Sequence, residues 1–248
     1  MTTVTTGTAR TFFPPRVLAL ELRRMLRNRR TVIIGMAVTP LAFLLVTLTT
    51  EAAAQAYLMV SLGVYAALSA VTAIGAGVSQ DRAAGWSRQL RLSPLRPVGY
   101  VLIKAAVAMT AGALAIGGVF AIGAIRGVHL PIGDWLSCGL LAWACSVVFA
   151  AFGLAMGYLL PMDNAMQLLG PLLAVLAFAG GLFMPIDTFG PVFSTLARFV
   201  PTYGAGVLAR APLTGTADVP LAVANLLAWT AAFVALAAWR MRRDTARV

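Results

Sequence analysis

Metal-ligating and redox side chains are almost missing from this chain: one histidine, His129, and two cysteines, Cys138 and Cys145, in 248 residues. Zinc sites draw three or four such ligands together, so no metal centre is expected. The two cysteines stand seven residues apart in one apolar run. A single helix keeps them too far apart to bond, and they read as small buried hydrophobes. Acidic residues number only eight. Glu51, Asp134 and Asp163 fall at the ends of long apolar runs, and Asp187 and Asp218 fall between two of them. Carriers driven by ions or protons place ionisable groups at membrane depth, and no acid sits there. No G-x-x-x-x-G-K-[ST] phosphate loop is present. Nor is there a nucleophile–base–acid set. Such a chain carries no energy source and no catalytic centre of its own.

Apolar sequence is what it has in plenty. Hydrophobic residues make up 60% of the chain and charged residues 11%, against roughly 45–50% and 25% in soluble domains. The excess is gathered into runs of about 20 residues, the length that crosses a bilayer. The runs are continuous rather than alternating, which selects helices over a barrel. The expected fold is therefore all-α: one polytopic domain, 1–248, with six transmembrane helices. The spans read as Thr31–Thr50, Ala56–Ser79, Val101–Ile125, Trp135–Leu160, Ala165–Pro185 and Pro220–Trp239. Gly153-x-x-x-Gly157 in the fourth permits close helix contact.

Charge then orients them. Sixteen of the nineteen cations lie before the first span, between the second and third, or after the sixth; Arg126, Arg198 and Arg210 fall on the other side. The positive-inside rule puts both termini in the cytoplasm. It also accounts for the net charge of +11 without nucleic acid. One lysine against eighteen arginines, with much Ala, Gly, Leu and Val, suits a GC-rich bacterial gene and a bacterial plasma membrane. Asn28-Arg29-Arg30 resembles a twin-arginine export signal, but the apolar run is too long and five more follow.

Two polar stretches stand out. Residues 14–30 read as an amphipathic interfacial helix, against the competing reading of a solvated basic tail: Pro15 suits the first turn, Leu18, Leu22, Met25 and Leu26 share one face, and Arg16, Arg23, Arg27 and Arg30 the other, with Leu20 off the pattern. The second, "SQDRAAGWSRQLRLSPLRPVGYVLIK" (Ser79–Lys104), interrupts the apolar runs. Ala83, Trp86 and Leu90 form one helical stripe, Arg88 and Arg91 lie off it, and Ser93-Pro94 opens a further helical segment. Two readings fit: a lever gripped by a partner, or an interfacial helix anchored by Trp86. Between the fifth and sixth spans, Val192, Phe193, Leu196, Ala197 and Val200 form an apolar stripe. It reads either as a short helix dipping into the outer leaflet or as plain interfacial packing.

"DRAAGWSRQLRLSPLRPVGYVLIK" (Asp81–Lys104) resembles the cytoplasmic segment of type-2 permeases of ATP-binding-cassette exporters, of the daunorubicin-resistance-like kind. Asp81, Arg82, Gly85, Leu90, Pro94 and Lys104 carry the match. "GGLFMPIDTFGPVFSTLARFVPTYGAGVLAR" (Gly180–Arg210) is similar to the family's fifth-span exit and outer helix ending Pro-x-Tyr, through Gly181, Leu182, Phe183, Pro185, Pro201 and Tyr203. The resemblance implies that residues 80–97 form a coupling helix, with Asp81, Arg82, Gly85, Trp86, Arg88, Leu90 and Pro94 at the contact. The partner would be a cytoplasmic ATPase subunit that binds the ATP and magnesium. A second permease copy would complete the transporter. Residues 186–219 would form the extracellular connection. Ala83, Trp86 and Arg88 depart from the family pattern, toward positive charge, and imply a more acidic groove on the ATPase.

The expected activity is export of a hydrophobic or amphipathic molecule, such as an antibiotic, other drug or lipid-like compound. The chain itself would be no enzyme and would bind no cofactor. Phe43, Tyr65, Phe178 and Phe183, on spans expected to line the path, are candidates to touch cargo, with ordinary helix packing as the competing reading. A multi-pass scaffold without transport activity is the alternative function; a membrane-embedded enzyme ranks below both.

Overall fold

A computed structural model describes residues 15–27, 29–85, 97–215 and 218–246. Trp86, Arg88, Leu90 and Pro94 lie outside the described residues. Among those described there is no strand, as continuous apolar runs require. The helices are α1 (Pro15–Arg27), α2 (Arg29–Thr47), α3 (Ala52–Ala76), α4 (Val78–Ala83), α5 (Pro97–Ile125), α6 (Ile132–Cys145), α7 (Val147–Leu159), α8 (Met162–Ala179), α9 (Pro191–Ala197), α10 (Pro201–Thr214) and α11 (Val219–Ala246), with a 3₁₀ turn at Ile186–Phe189.

Among the described residues, four stretches are long and apolar enough to cross a membrane: Ala54–Ala83, Val98–Ile125, Ile132–Leu159 and Val219–Arg243. They match the second, third, fourth and sixth expected spans. The first and fifth correspond to α2 and α8, whose apolar portions, Ala37–Thr47 and Gln167–Ala179, are shorter.

Breaks within the long runs have local causes. Gly77 separates α3 from α4, its N–H shared between the carbonyls of Ala73 and Ile74. Ser146 separates α6 from α7. Its hydroxyl donates to the Trp143 carbonyl at 2.6 Å and its N–H to the same carbonyl at 3.0 Å, an i−3 turn that interrupts the regular ladder. At the end of α8, Gly181 has φ +72°. The N–H of Leu182 reaches back to Ala177 and that of Gly181 to Phe178, the paired bonds of a Schellman stop.

α3 is the central helix. It packs against α2, α5, α6, α7, α8 and α10, and Met59, Val60, Val64, Ala67, Leu68 and Val71 are buried along it. Its contact with α7 is nearly backbone to backbone. A Cβ on Gly75 would come within 2.7 Å of the Gly153 carbonyl carbon, one on Gly153 within 2.6 Å of the Thr72 oxygen, and one on Gly157 within 2.8 Å of the Gly75 oxygen. The Gly153-x-x-x-Gly157 pattern thus marks a real close approach.

The connection after α8 differs from the sequence expectation. Pro201 and Tyr203 open a helix, α10, instead of ending one. Proline suits the first turn of a helix, where no N–H is needed. Residues Pro201–Gly206 and Leu208–Arg210 of α10 are buried, against α6, α11 and α3. Small side chains allow this: a Cβ on Gly204 would meet the Ala222 oxygen at 2.6 Å. Only the preceding α9 behaves as a surface helix, with Val192 and Leu196 exposed and Ala197 turned inward.

Candidate functional site

The elements flanking the 86–96 segment converge on one charged junction. α3 runs past the glycine contact with α7 and continues, after Gly77, into α4. That register delivers Asp81 and Arg82 to opposite neighbours. Asp81 turns toward α5, where Lys104 Nζ lies 2.9 Å from its Oδ2. The same carboxylate oxygen accepts the Tyr100 hydroxyl at 2.6 Å. Lys104 also reaches α1, 3.0 Å from Glu21 Oε2, and sits over the Tyr100 ring at 5.6 Å from its centroid. One ammonium group therefore binds two carboxylates from two other helices. Lys104 is only 8% exposed in its side chain, Asp81 17% and Glu21 20%. The pairing is thus shielded from solvent, unlike surface pairs worth about 0–1 kcal/mol. Arg24 adds two long contacts of 3.9 Å to Glu21 and Asp81, but its side chain is 72% exposed and contributes little.

Arg82 turns the other way. Its Nη1 donates to the carbonyls of Gly157 at 3.2 Å and Tyr158 at 2.8 Å, and its guanidinium lies 5.8 Å from the Tyr158 ring centroid. These are the orphan carbonyls at the end of α7. A cation there also complements the helix dipole. Arg240 of α11 reaches the Tyr158 carbonyl at 3.4 Å, so two helices grip the same end.

α4 stops where Gly85 adopts φ +78°, a left-handed conformation that glycine takes without strain. The N–H of Gly85 bonds the Arg82 carbonyl and that of Ala84 the Gln80 carbonyl. Asp81, Arg82 and Gly85 of the sequence-derived set are thus brought together, with Asp81 and Arg82 engaged by the bundle itself. Glu21 and Tyr100 were missed, though Glu21 is the lone acid in an arginine-rich helix and Asp81 the lone acid between the second and third spans.

The four aromatic candidates separate. Tyr65 and Phe183 meet edge to face, 5.1 Å between centroids, both partly exposed. Phe178 is exposed and contacts Phe193 at 6.3 Å. Phe43 is fully enclosed by the chain's own core, which leaves it no face for cargo in this arrangement. Among the described residues no group of His, Cys, Asp and Glu could hold a metal ion.

No solved structure matches the chain significantly. A curated relative, "Putative transport permease YvfS" of Bacillus subtilis (strain 168), is 24% identical over 235 residues, covering 91% of this chain and 96% of the relative. The family pattern described as ABC-2 type transporter matches residues 16–212, which takes in α1, the charged junction and nearly all of α10. The chain belongs to the ABC-2 type transporter family, as a multi-pass membrane permease.

Proposed function

We propose that this chain is the membrane-spanning subunit of an ATP-driven exporter. It moves hydrophobic or amphipathic molecules out of a bacterial cell, while a separate cytoplasmic ATPase binds ATP and magnesium and performs the hydrolysis. The chain crosses the membrane six times, with both termini cytoplasmic, α1 along the inner interface, and the connection 186–219 on the outer side, its α10 packed into the bundle. Residues 80–97 form the coupling segment that docks on the ATPase through Trp86, Arg88, Leu90 and Pro94.

The carrying observation is the junction of Glu21, Lys104 and Asp81. It ties the interfacial helix, the start of the coupling segment and the third span into one unit, from which the chain runs on in sequence to the expected docking residues. Force applied to the segment would pull on α3 and α5 through Asp81 and Lys104, and on α7 through Arg82. Asp81 and Arg82 are then positioning residues that transmit the motion, and the ATPase contact belongs to the residues after Gly85.

A second copy completes the transporter. α2 and α8 support this: Val38, Leu41 and Leu45 on one, and Leu168, Leu172 and Val175 on the other, are exposed. Tyr65, Phe178 and Phe183 are the candidates to line the path.

Co-purification tests the reading. The native chain should retain its ATPase subunit in detergent, and Leu90→Asp should release it while the helices stay folded by circular dichroism. Full retention by the variant, with hydrolysis still coupled to export, would refute the docking assignment.

A further inference from the structure

Arg210 breaks the apolar pattern of the bundle. Sequence counting places it with the cations of the outer connection, but α10 carries it inside, where the residue is 6% exposed. Its Nη1 donates to Ser61 Oγ of α3 at 2.9 Å. Its guanidinium lies 4.6 Å from the Tyr57 ring centroid, and the Tyr57 hydroxyl donates to the Gly181 carbonyl at 3.3 Å. Gly206, one turn earlier, makes the room: a Cβ there would stand 3.1 and 3.2 Å from the two terminal nitrogens. Tyr203, fully buried, stands seven residues before Arg210 on the same helical face.

This cradle leaves a charge without its complement. No carboxylate lies within ion-pair distance of Arg210 among the described residues. Guanidinium has five N–H donors and does not give up its proton, and one side-chain acceptor, Ser61 Oγ, meets them here. Lys104, the other buried cation among the described residues, has two carboxylates. Ser61 stands nine residues into α3, about 14 Å from the end remote from α4 at 1.5 Å per residue. That depth falls within hydrocarbon about 30 Å thick. Buried charges in proteins are paired, and ionisable groups at membrane depth mark ligand pathways.

We propose that Arg210 is the recognition point for the oxyanion head, a carboxylate or phosphate, of an amphipathic ligand. The fork of its N–H donors matches that planar or tetrahedral oxygen geometry. Ser61, fully buried, holds the guanidinium in place by accepting from Nη1. The partly exposed Tyr57 ring, 4.6 Å from the guanidinium, offers an apolar face to a hydrocarbon tail. This deepens the permease reading and rests on it, since it names the class of cargo or lipid taken up.

The test is binding by the full-length chain in phosphatidylcholine nanodiscs, without ATPase or nucleotide, so failure here leaves the coupling assignment untouched. The probes are dansyl-undecanoic acid and its methyl ester. The acid should bind about tenfold or more tightly than the ester, as expected for a charge-assisted bidentate contact. Arg210→Met should abolish that preference and Arg210→Lys should keep part of it. Competition by added phosphatidylglycerol would identify a lipid phosphate as the occupant, and its absence a solute bearing the same group. Equal affinity for acid and ester, or an unchanged preference in Arg210→Met, would overturn the proposal. Should Arg210→Met not fold, a diazirine-bearing fatty acid on the native chain decides. Labelling within 57–61 or 203–210 supports the site, and labelling that spares both refutes it.

Discussion

Lys104 is the single lysine of the chain, and it holds the junction together. Replacing it with methionine leaves Asp81 and Glu21 facing each other with their shared cation gone. Breaking a buried ion pair from one side costs about 3–5 kcal/mol; partial exposure of both carboxylates puts the expected loss toward on the order of 2–3 kcal/mol. Thermal unfolding in detergent measures it. Lys104→Arg keeps charge but replaces a compact point donor with a planar fork, and should recover part of the loss. A double-mutant cycle of Lys104→Met with Asp81→Asn should show a coupling energy of about 1–3 kcal/mol. Additive effects would mean the pair does not act as one unit. Much of this was readable only as separate letters. Asp81, Arg82 and Lys104 are visible in the sequence as family-matching positions, but Glu21 lies 60 residues from Asp81 and 83 from Lys104, and nothing local signals that they meet. The burial of Arg210 was hidden for a related reason. Counting cations by connection assumes that a connection stays at the surface, and α10 does not.

At the scale of elements, the helix boundaries were legible because apolar runs end at charges, glycines and prolines. α5 falls within four residues of expectation, and α11 begins within one residue of it but runs seven residues further. The breaks at Gly77 and Ser146 were not visible, since one depends on an N–H shared between two carbonyls and the other on a carbonyl taken up by a side chain, both inside a continuous apolar run. The contact of α3 with α7 makes a sharp prediction. Gly153→Leu places side-chain atoms where the Thr72 backbone lies 2.6 Å from a Cβ, and neither backbone can give way cheaply. The variant should lose most of its folded yield in fluorescence-detected size-exclusion chromatography. Gly117→Ala, where a Cβ meets nothing within 4 Å, should be neutral or stabilising by about 0.5–1 kcal/mol through helix propensity. Equal behaviour of the two variants would contradict the packing. Gly85 is a second element-level test. A Cβ there has open space but a φ of +78°, so Gly85→Val should impair ATPase retention more than Gly85→Asn, because asparagine tolerates the left-handed region.

Over the whole molecule, the distribution of charge and the junction point the same way. Glu21, Asp81, Lys104, Arg82 and Arg240 gather at one end of the bundle, the end where the arginine-rich segments enter and leave. In a cysteine-free background, Gln80→Cys should be shielded from a membrane-impermeant maleimide in intact cells, and Arg126→Cys should be labelled. The reverse pattern would invert the topology. Within that orientation, a segment after Gly85 can drive α3, α5 and α7 together only if the junction transmits its motion. The most direct measurement reconstitutes the Lys104→Met permease with its ATPase in vesicles and follows binding and ATP-dependent export side by side. We expect the ATPase to remain bound while export falls by at least about tenfold, the loss of a coupling term of roughly 1.4 kcal/mol or more. Native export rates in a folded Lys104→Met variant would contradict the role assigned to the junction.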